Sequence, residues 1–458
     1  MASASPELSR AQVARAGLCI GCGACAGAGQ MGWDRYGQLK PAGSPKWRRS
    51  AEPRLARTCP FSPHARDEDA LAATLFPQAR QSDRRIGRYQ AAYVGHAAEE
   101  DFRANGSSGG MVSWVAAELL RRGMIDGVAH VAPRPRRQRD GRLFAYRIAR
   151  SLDAIREGAK SRYYPVELSG MLAEMRRVPG RYAVVGVPCF IKAVQLLRRE
   201  DPVLRDRIAF TLGLYCGHMK SARMIESFAA QMGVGPHAIE HAEFRVKDAS
   251  RPANWYRAEV MLPDGSRRAR DWWHLVEGDW GSGFFQNSAC DFCDDVVAET
   301  ADISFGDAWV EPYASDGRGT NVVVVRSAAL DAMLGEGIAD GRLALAPVDG
   351  DFVAETQSAG LRQRREGLAW RLARTRSRVR KRVRPNPAGL PLRRRMIYGI
   401  RAGISRWSHR IYALGRALHW PGLYIGWARA AVRLYHALAY SRGRLGTLVD
   451  RVEAWGRG

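Results

Sequence analysis

Apolar-rich runs and amphipathic stretches alternate through the middle of the chain. YAVVGV (182–187), IAFTLGLY (208–215), ADISFGDAW (301–309) and TNVVVVRS (320–327) read as short buried strands, the third ending in a loop at Gly306 and Asp307. IKAVQLLRRE (191–200) reads as a helix between the first two, and another helix begins at Ser221. Upstream, RYQAAYV (88–94) predicts a strand. A small-residue loop over Asn105–Gly110 then precedes an amphipathic helix to about Arg122, and a further strand follows near 126–132. The alternation predicts βαβ units: an α/β fold with a parallel or mixed sheet core. A small loop-rich N-terminal segment and a helical C-terminal extension flank that core.

The extension has its own periodicity. Ile397, Ile400, Ile404, Trp407, Ile411, Leu414 and Leu418 recur at spacings of three and four, which predicts a helix with one apolar stripe. Arg401, Arg406, Arg410 and Arg416 lie elsewhere around it, and Pro421 opens a second stretch containing Trp427, Leu434, Tyr435 and Leu438. Such helices can lie on an anionic membrane, pack on the protein's own body or bind a protein partner.

Charge sharpens the division. The 458 residues carry a formal charge of +25, but residues 361–458 hold 24 Arg and Lys against three acids. The first 360 residues are close to balanced, with 47 basic and 43 acidic side chains. A nucleic-acid-binding body would spread positive charge over its folded surface, so this distribution argues against that class. No apolar run is long enough to span a bilayer, and the N-terminus lacks the apolar core of a signal peptide. The expected location is the cytoplasm, either free or peripheral to the inner membrane face.

Eight cysteines supply the candidate chemistry. Cys19, Cys22 and Cys25 are spaced by two residues each, with glycines between them, and Cys59 precedes Pro60. Three cysteines in seven residues followed by Cys-Pro suit an iron–sulfur cluster, whereas zinc sites favour two separated pairs. Cys189 and Cys216 follow apolar strands, whose carboxyl ends converge on one rim of an α/β sheet. With the Cys290–Cys293 pair they make a second possible cage, although a buried cysteine is also an ordinary core residue. The Ser107, Ser108, Gly109, Gly110 loop offers backbone amides at a helix start, for an anion or for simple capping. Lys160, Ser161, Arg162, Tyr163 and Tyr164 form a basic-aromatic loop suited to a flavin or a phosphate. His96, His130, His218 and Asp307 are candidate proton donors, and none is assigned.

CIGCGAC…CP, SSGG before a helix, GVPC, YCGH, CDFC and ADISFGDAW occur in this order over roughly residues 15–345. Together they resemble the coenzyme F-420 (deazaflavin) hydrogenase/dehydrogenase beta-subunit family, with cysteine spacing similar to its bacterial polysaccharide-cluster branch. The resemblance implies two [4Fe–4S] clusters, on Cys19, Cys22, Cys25 and Cys59 and on Cys189, Cys216, Cys290 and Cys293. It implies FAD near Ser107, Ser108, Gly109, Gly110, Lys160, Ser161 and Tyr163. It divides the chain into a ferredoxin-like iron–sulfur segment (1–85), a flavin-associated region (86–170), an α/β reductase domain with the second cluster (171–350) and the basic tail (351–458). The implied function is an FAD- and iron–sulfur-dependent oxidoreductase passing electrons from a ferredoxin-like protein or reduced deazaflavin to a small-molecule substrate. The alternative is an electron-transfer subunit feeding a separate catalytic partner.

Overall fold

A computed structural model describes residues 6–135, 140–375, 384 and 389–455. Parts of the cationic stretch at 362–384, of PNPAGLP (385–391) and of RPRRQRDGR (134–142), whose charge predicts a solvated turn, therefore lie outside the described residues.

Eight strands form the central sheet: β1 (Ala91–Ala97), β2 (Gly127–Pro133), β3 (Phe144–Ala149), β4 (Tyr182–Gly186), β5 (Ile208–Leu214), β6 (Ile303–Asp307), β7 (Asn321–Val325) and β8 (Leu343–Val348). Their spatial order is β8-β1-β7-β6-β5-β4-β2-β3. The neighbours β2, β4, β5 and β6 run parallel, while β3, β7, β1 and β8 join antiparallel. The sheet is thus mixed, with a parallel centre and antiparallel edges. Gly306 and Asp307 belong to β6, where Asp307 pairs with Asn321, and do not form the expected loop.

Helix α1 (Met111–Arg121) covers one face through Trp114, Val115 and Leu119, all fully buried. The Trp114 indole donates to Glu99 at 2.7 Å, so its one polar atom is satisfied inside the core. The opposite face receives α2 (Pro188–Glu200) and α3 (Arg223–Gln231), whose Phe190, Val194, Met224 and Phe228 are buried. Each such side chain contributes roughly 1.5–3 kcal/mol on burial. Residues 8–89 fold into short helices and two- or three-residue strands around Leu18, Ile20, Phe61 and Leu71.

The tail folds into α4 (Ser358–Leu372), α5 (Leu392–Ala417), α6 (Pro421–Tyr440) and α7 (Gly443–Trp455). Ile397, Ile404, Tyr412, Tyr424 and Tyr435 join the same hydrophobic cluster as Cys22, Cys189 and Cys290. The seven-residue stripe on α5 is the packed face only in part, with Ile400 and Ile411 partly buried against the same cluster. Ile397 and Ile404 are buried, whereas Trp407, Leu414 and Leu418 are exposed. The face turned inward carries Tyr398, Ser405, Ser408, His409 and Tyr412, because its neighbour is loop 281–287 with free backbone groups. Ser408 accepts from the Phe285 amide at 2.9 Å, and His409 Nε2 lies 3.0 Å from Gln286 O. Hydrogen bonding to that loop turns the helix so that only the isoleucine side of the stripe reaches the core.

Candidate redox site

The loop from Leu18 to Ala26 carries three of the first four thiols. Gly21 and Gly23 take φ of +82° and +75°, a conformation that favours glycine, and a Cβ at either would strike Leu39 O or Glu167. Cys59 ends the short helix Pro53–Thr58 and returns to the loop. The thiols sense one another electrostatically: Cys22 with Cys25, Cys59 and Cys19, and Cys25 with Cys19 and Cys59. Burial, reinforced by these neighbours, pushes Cys25 and Cys59 up to about 12. Two cations stand close. Arg10 Nε donates to Cys25 O at 3.1 Å, and Lys192, ion-paired with Glu68 at 3.2 Å, opposes the rise at Cys59.

The other four thiols come from separate elements. Cys189 lies in the first turn of α2, Cys216 just beyond β5, and Cys290 and Cys293 in the turn at 288–293. Cys189 interacts electrostatically with Cys293, Cys216 and Cys290. Burial raises Cys216 to about 12 and Cys290 to about 11, against the pull of Arg364. Arg364, on α4, is buried and binds backbone at the set: Cys290 O at 3.3 Å, Cys293 O at 3.2 Å, Cys216 O at 3.3 Å, and Gly217 O. Beside Cys293, the buried carboxylates of Asp294 and Glu299 meet Arg384 and Arg365. Two of the tail's arginines are therefore neutralised against this loop.

The two sets adjoin. Cys189 senses Cys22, and the Tyr146 hydroxyl, bonded to Val185 O at 2.9 Å, senses both. Asn287 Nδ2 donates to Ile20 O at 3.3 Å and Ser288 Oγ to Gly17 O at 2.8 Å, joining the two cysteine loops. Among the described residues, no three His, Cys, Asp or Glu side chains are gathered tightly enough to hold a single metal ion. Four convergent thiols suit an iron–sulfur cluster.

Ser107 Oγ accepts from the Ser161 amide at 2.8 Å, so the small-residue loop and the basic-aromatic loop meet. Ser108 Oγ donates to Thr320 O at 2.9 Å. Gly109 sits where a Cβ would meet Asn321 N and Gly95 O at 2.8 Å, and Gly110 caps α1 with φ of +80°. Tyr163 packs on Trp280, centroids 4.8 Å apart, and burial raises its hydroxyl. Lys160 is half-buried without a hydrogen-bond or ion-pair partner among the described residues, and burial lowers its ammonium.

Two further cations escaped sequence reasoning. Arg245 holds Asp307 through contacts of 2.8 and 3.1 Å. Lys247 donates to Ser108 O at 3.1 Å, to Arg318 O at 2.8 Å and to Arg103 O. Burial lowers Lys247 to about 7, with Lys160 and Arg245 contributing. Their i, i+2 spacing in FRVK (244–247) was the available signal. The cations around Ser107–Gly110, one of them unpartnered, fit a phosphate-bearing ligand.

Of the four candidate proton donors, His130 is buried and pushed down to about 4 by that burial. His218 is buried and stacked on Trp280 at 4.6 Å, and Asp307 is engaged by Arg245. His96 lies on β1, its affinity lowered mainly by burial.

Residues 92–173 match the family model described as coenzyme F-420 hydrogenase/dehydrogenase, beta subunit N-term, and residues 180–351 match its C-terminal counterpart. The chain belongs to this beta-subunit family. It is an oxidoreductase-type protein with a role in electron transfer. Among solved structures it is similar to a chain of the F-420-reducing [NiFe] hydrogenase complex from Methanosarcina barkeri, at 18% identity and a TM-score of 0.49. That similarity covers 67% of this chain and 100% of that one. No curated protein gives a significant match. Helices α4 to α7, with Arg364, lie beyond both matched segments.

Proposed function

We propose that the chain carries electrons between a ferredoxin-like protein or reduced deazaflavin and a small-molecule substrate, using two [4Fe–4S] clusters and FAD. The observation that supports this reading is the pair of adjoining four-thiol sets, each coupled electrostatically within itself. Cys19, Cys22, Cys25 and Cys59 would hold one cluster, and Cys189, Cys216, Cys290 and Cys293 the other. Ser107, Ser108, Gly109 and Gly110 would present backbone to the flavin nucleotide, with Lys160, Arg245 and Lys247 supplying charge for its phosphates. Ser161 fixes that loop through Ser107, and Tyr163 packs the wall behind it. When bound, such groups exchange single electrons at the clusters and one or two at the flavin. The protein's share is to exclude water from the thiols and hold the two cysteine loops in contact through Asn287 and Ser288.

The test is anaerobic purification with iron, sulfide, zinc and flavin measured on one sample. About eight irons and one flavin per chain are expected. Zinc without iron or flavin would overturn the reading. The designation of the family as a beta subunit favours a second reading, a relay to a separate catalytic partner. Substrate turnover by the purified chain alone separates the two.

A further inference from the structure

Eleven of the fifteen large hydrophobic side chains exposed among the described residues lie between Leu392 and Val452. They are therefore concentrated on the tail, in a segment that also carries twelve arginines between Leu392 and Trp455. On α5, Leu392, Met396, Trp407, Arg410, Leu414 and Leu418 fall within an arc of about 80° at 3.6 residues per turn. Trp407 is 49% exposed, Leu414 51% and Leu418 57%, and Trp420 at the following turn is 59% exposed. Leu445, Leu448 and Val452 make a similar exposed stripe on α7. Arg410 stacks on Trp407 at 5.1 Å. Arg406, Arg429, Arg433 and Arg444 are exposed and have no ion-pair partner among the described residues. The two acids of the segment, Asp450 and Glu453, are both engaged by Arg393.

We propose that this outer face of the C-terminal helices docks on an anionic membrane surface. Tryptophan and leucine interleaved with unpaired arginine, and no unengaged acid, match a lipid headgroup region. There guanidinium groups meet phosphate while the rings and aliphatic chains reach the acyl boundary. No described helix is long and apolar enough to cross a membrane, so the contact is one of lying on the surface. The opposite face of α5 holds loop 281–287, which leads into Cys290 and Cys293, so docking would set the second cysteine set at the membrane. The inference does not depend on which cofactors are bound.

The test is co-sedimentation of the full chain with phosphatidylcholine vesicles, with and without phosphatidylglycerol. Binding is expected only with the anionic lipid and should weaken as salt rises. Arg406→Gln and Arg410→Gln should each weaken it about fivefold. A Trp407→Ser, Leu418→Ser, Trp420→Ser triple variant should weaken it at least about tenfold, with circular dichroism unchanged because these side chains are exposed. No sedimentation with anionic vesicles overturns the proposal. So does equal binding by the wild type and both sets of variants, or binding to an acidic protein that leaves vesicles untouched.

Discussion

The two cysteine sets contrast in how they are built. The first needs only residues 19 to 59, held by a tight loop and one short helix. The second draws on α2, the end of β5 and the turn at 288–293, and its backbone is gathered by one arginine from α4. A local site can be written into spacing. An assembled site depends on everything that places its parts, including a helix beyond both matched family segments.

The largest expected effect tests whether the sets are separate centres. Cys59→Ser and Cys293→Ser should each remove about four of eight irons, measured with sulfide on anaerobic samples. Loss of all iron from either variant would break the comparison.

Arg364→Gln comes next. It leaves the carbonyls of Cys216, Gly217, Cys290 and Cys293 without their shared donor, and hydrogen bonds to a charged group are worth about 1.5–3 kcal/mol each. Urea unfolding should show the loss, with iron released from the second set only. Where iron is retained, loss of the neighbouring charge should lower that centre's potential, on the order of 60 mV for one electron. Arg364→Lys keeps the charge without the fork, so it should restore the potential better than the stability.

The first set has its own counterpart. Lys192→Met removes the buried cation that pairs with Glu68 and acts on Cys59, and a loss of about 3 kcal/mol is expected by denaturant titration. Iron loss from the second set instead would show that the sets are not independently held. The smallest effect belongs to the seam. Asn287→Ala removes the bond to Ile20 O and the cap on the Ala289 amide, and should cost about 1–2 kcal/mol, with the iron content of the first set intact.

Much of the central sheet was legible because β4, β5 and β7 are nearly pure apolar runs, and burial on both faces leaves that trace. The convergence of Cys19, Cys22 and Cys25 was legible because close spacing forces proximity, whereas Cys59 is returned to them by the helix Pro53–Thr58. Arg245, Lys247 and Arg364 were not. Each is one arginine or lysine among 71, and nothing local separates an arginine that binds buried carbonyls from one in solvent. The rotation of α5 was not legible because its period reports where apolar residues lie, while the hydrogen-bonding groups of loop 281–287 also choose the packed face.

The sequence by itself determined the α/β class, the first cysteine loop and the helical, cationic character of the tail. All three follow from interactions within a few residues or from hydrophobic period. Tertiary structure alone decided that the two sets adjoin, that the cationic rim gathers around Ser107–Gly110, and that Arg364 is enclosed at Cys216, Cys290 and Cys293. Those outcomes rest on contacts between groups from about 50 to nearly 270 residues apart along the chain. The need to pair buried polar groups, invisible in any local window, selects them.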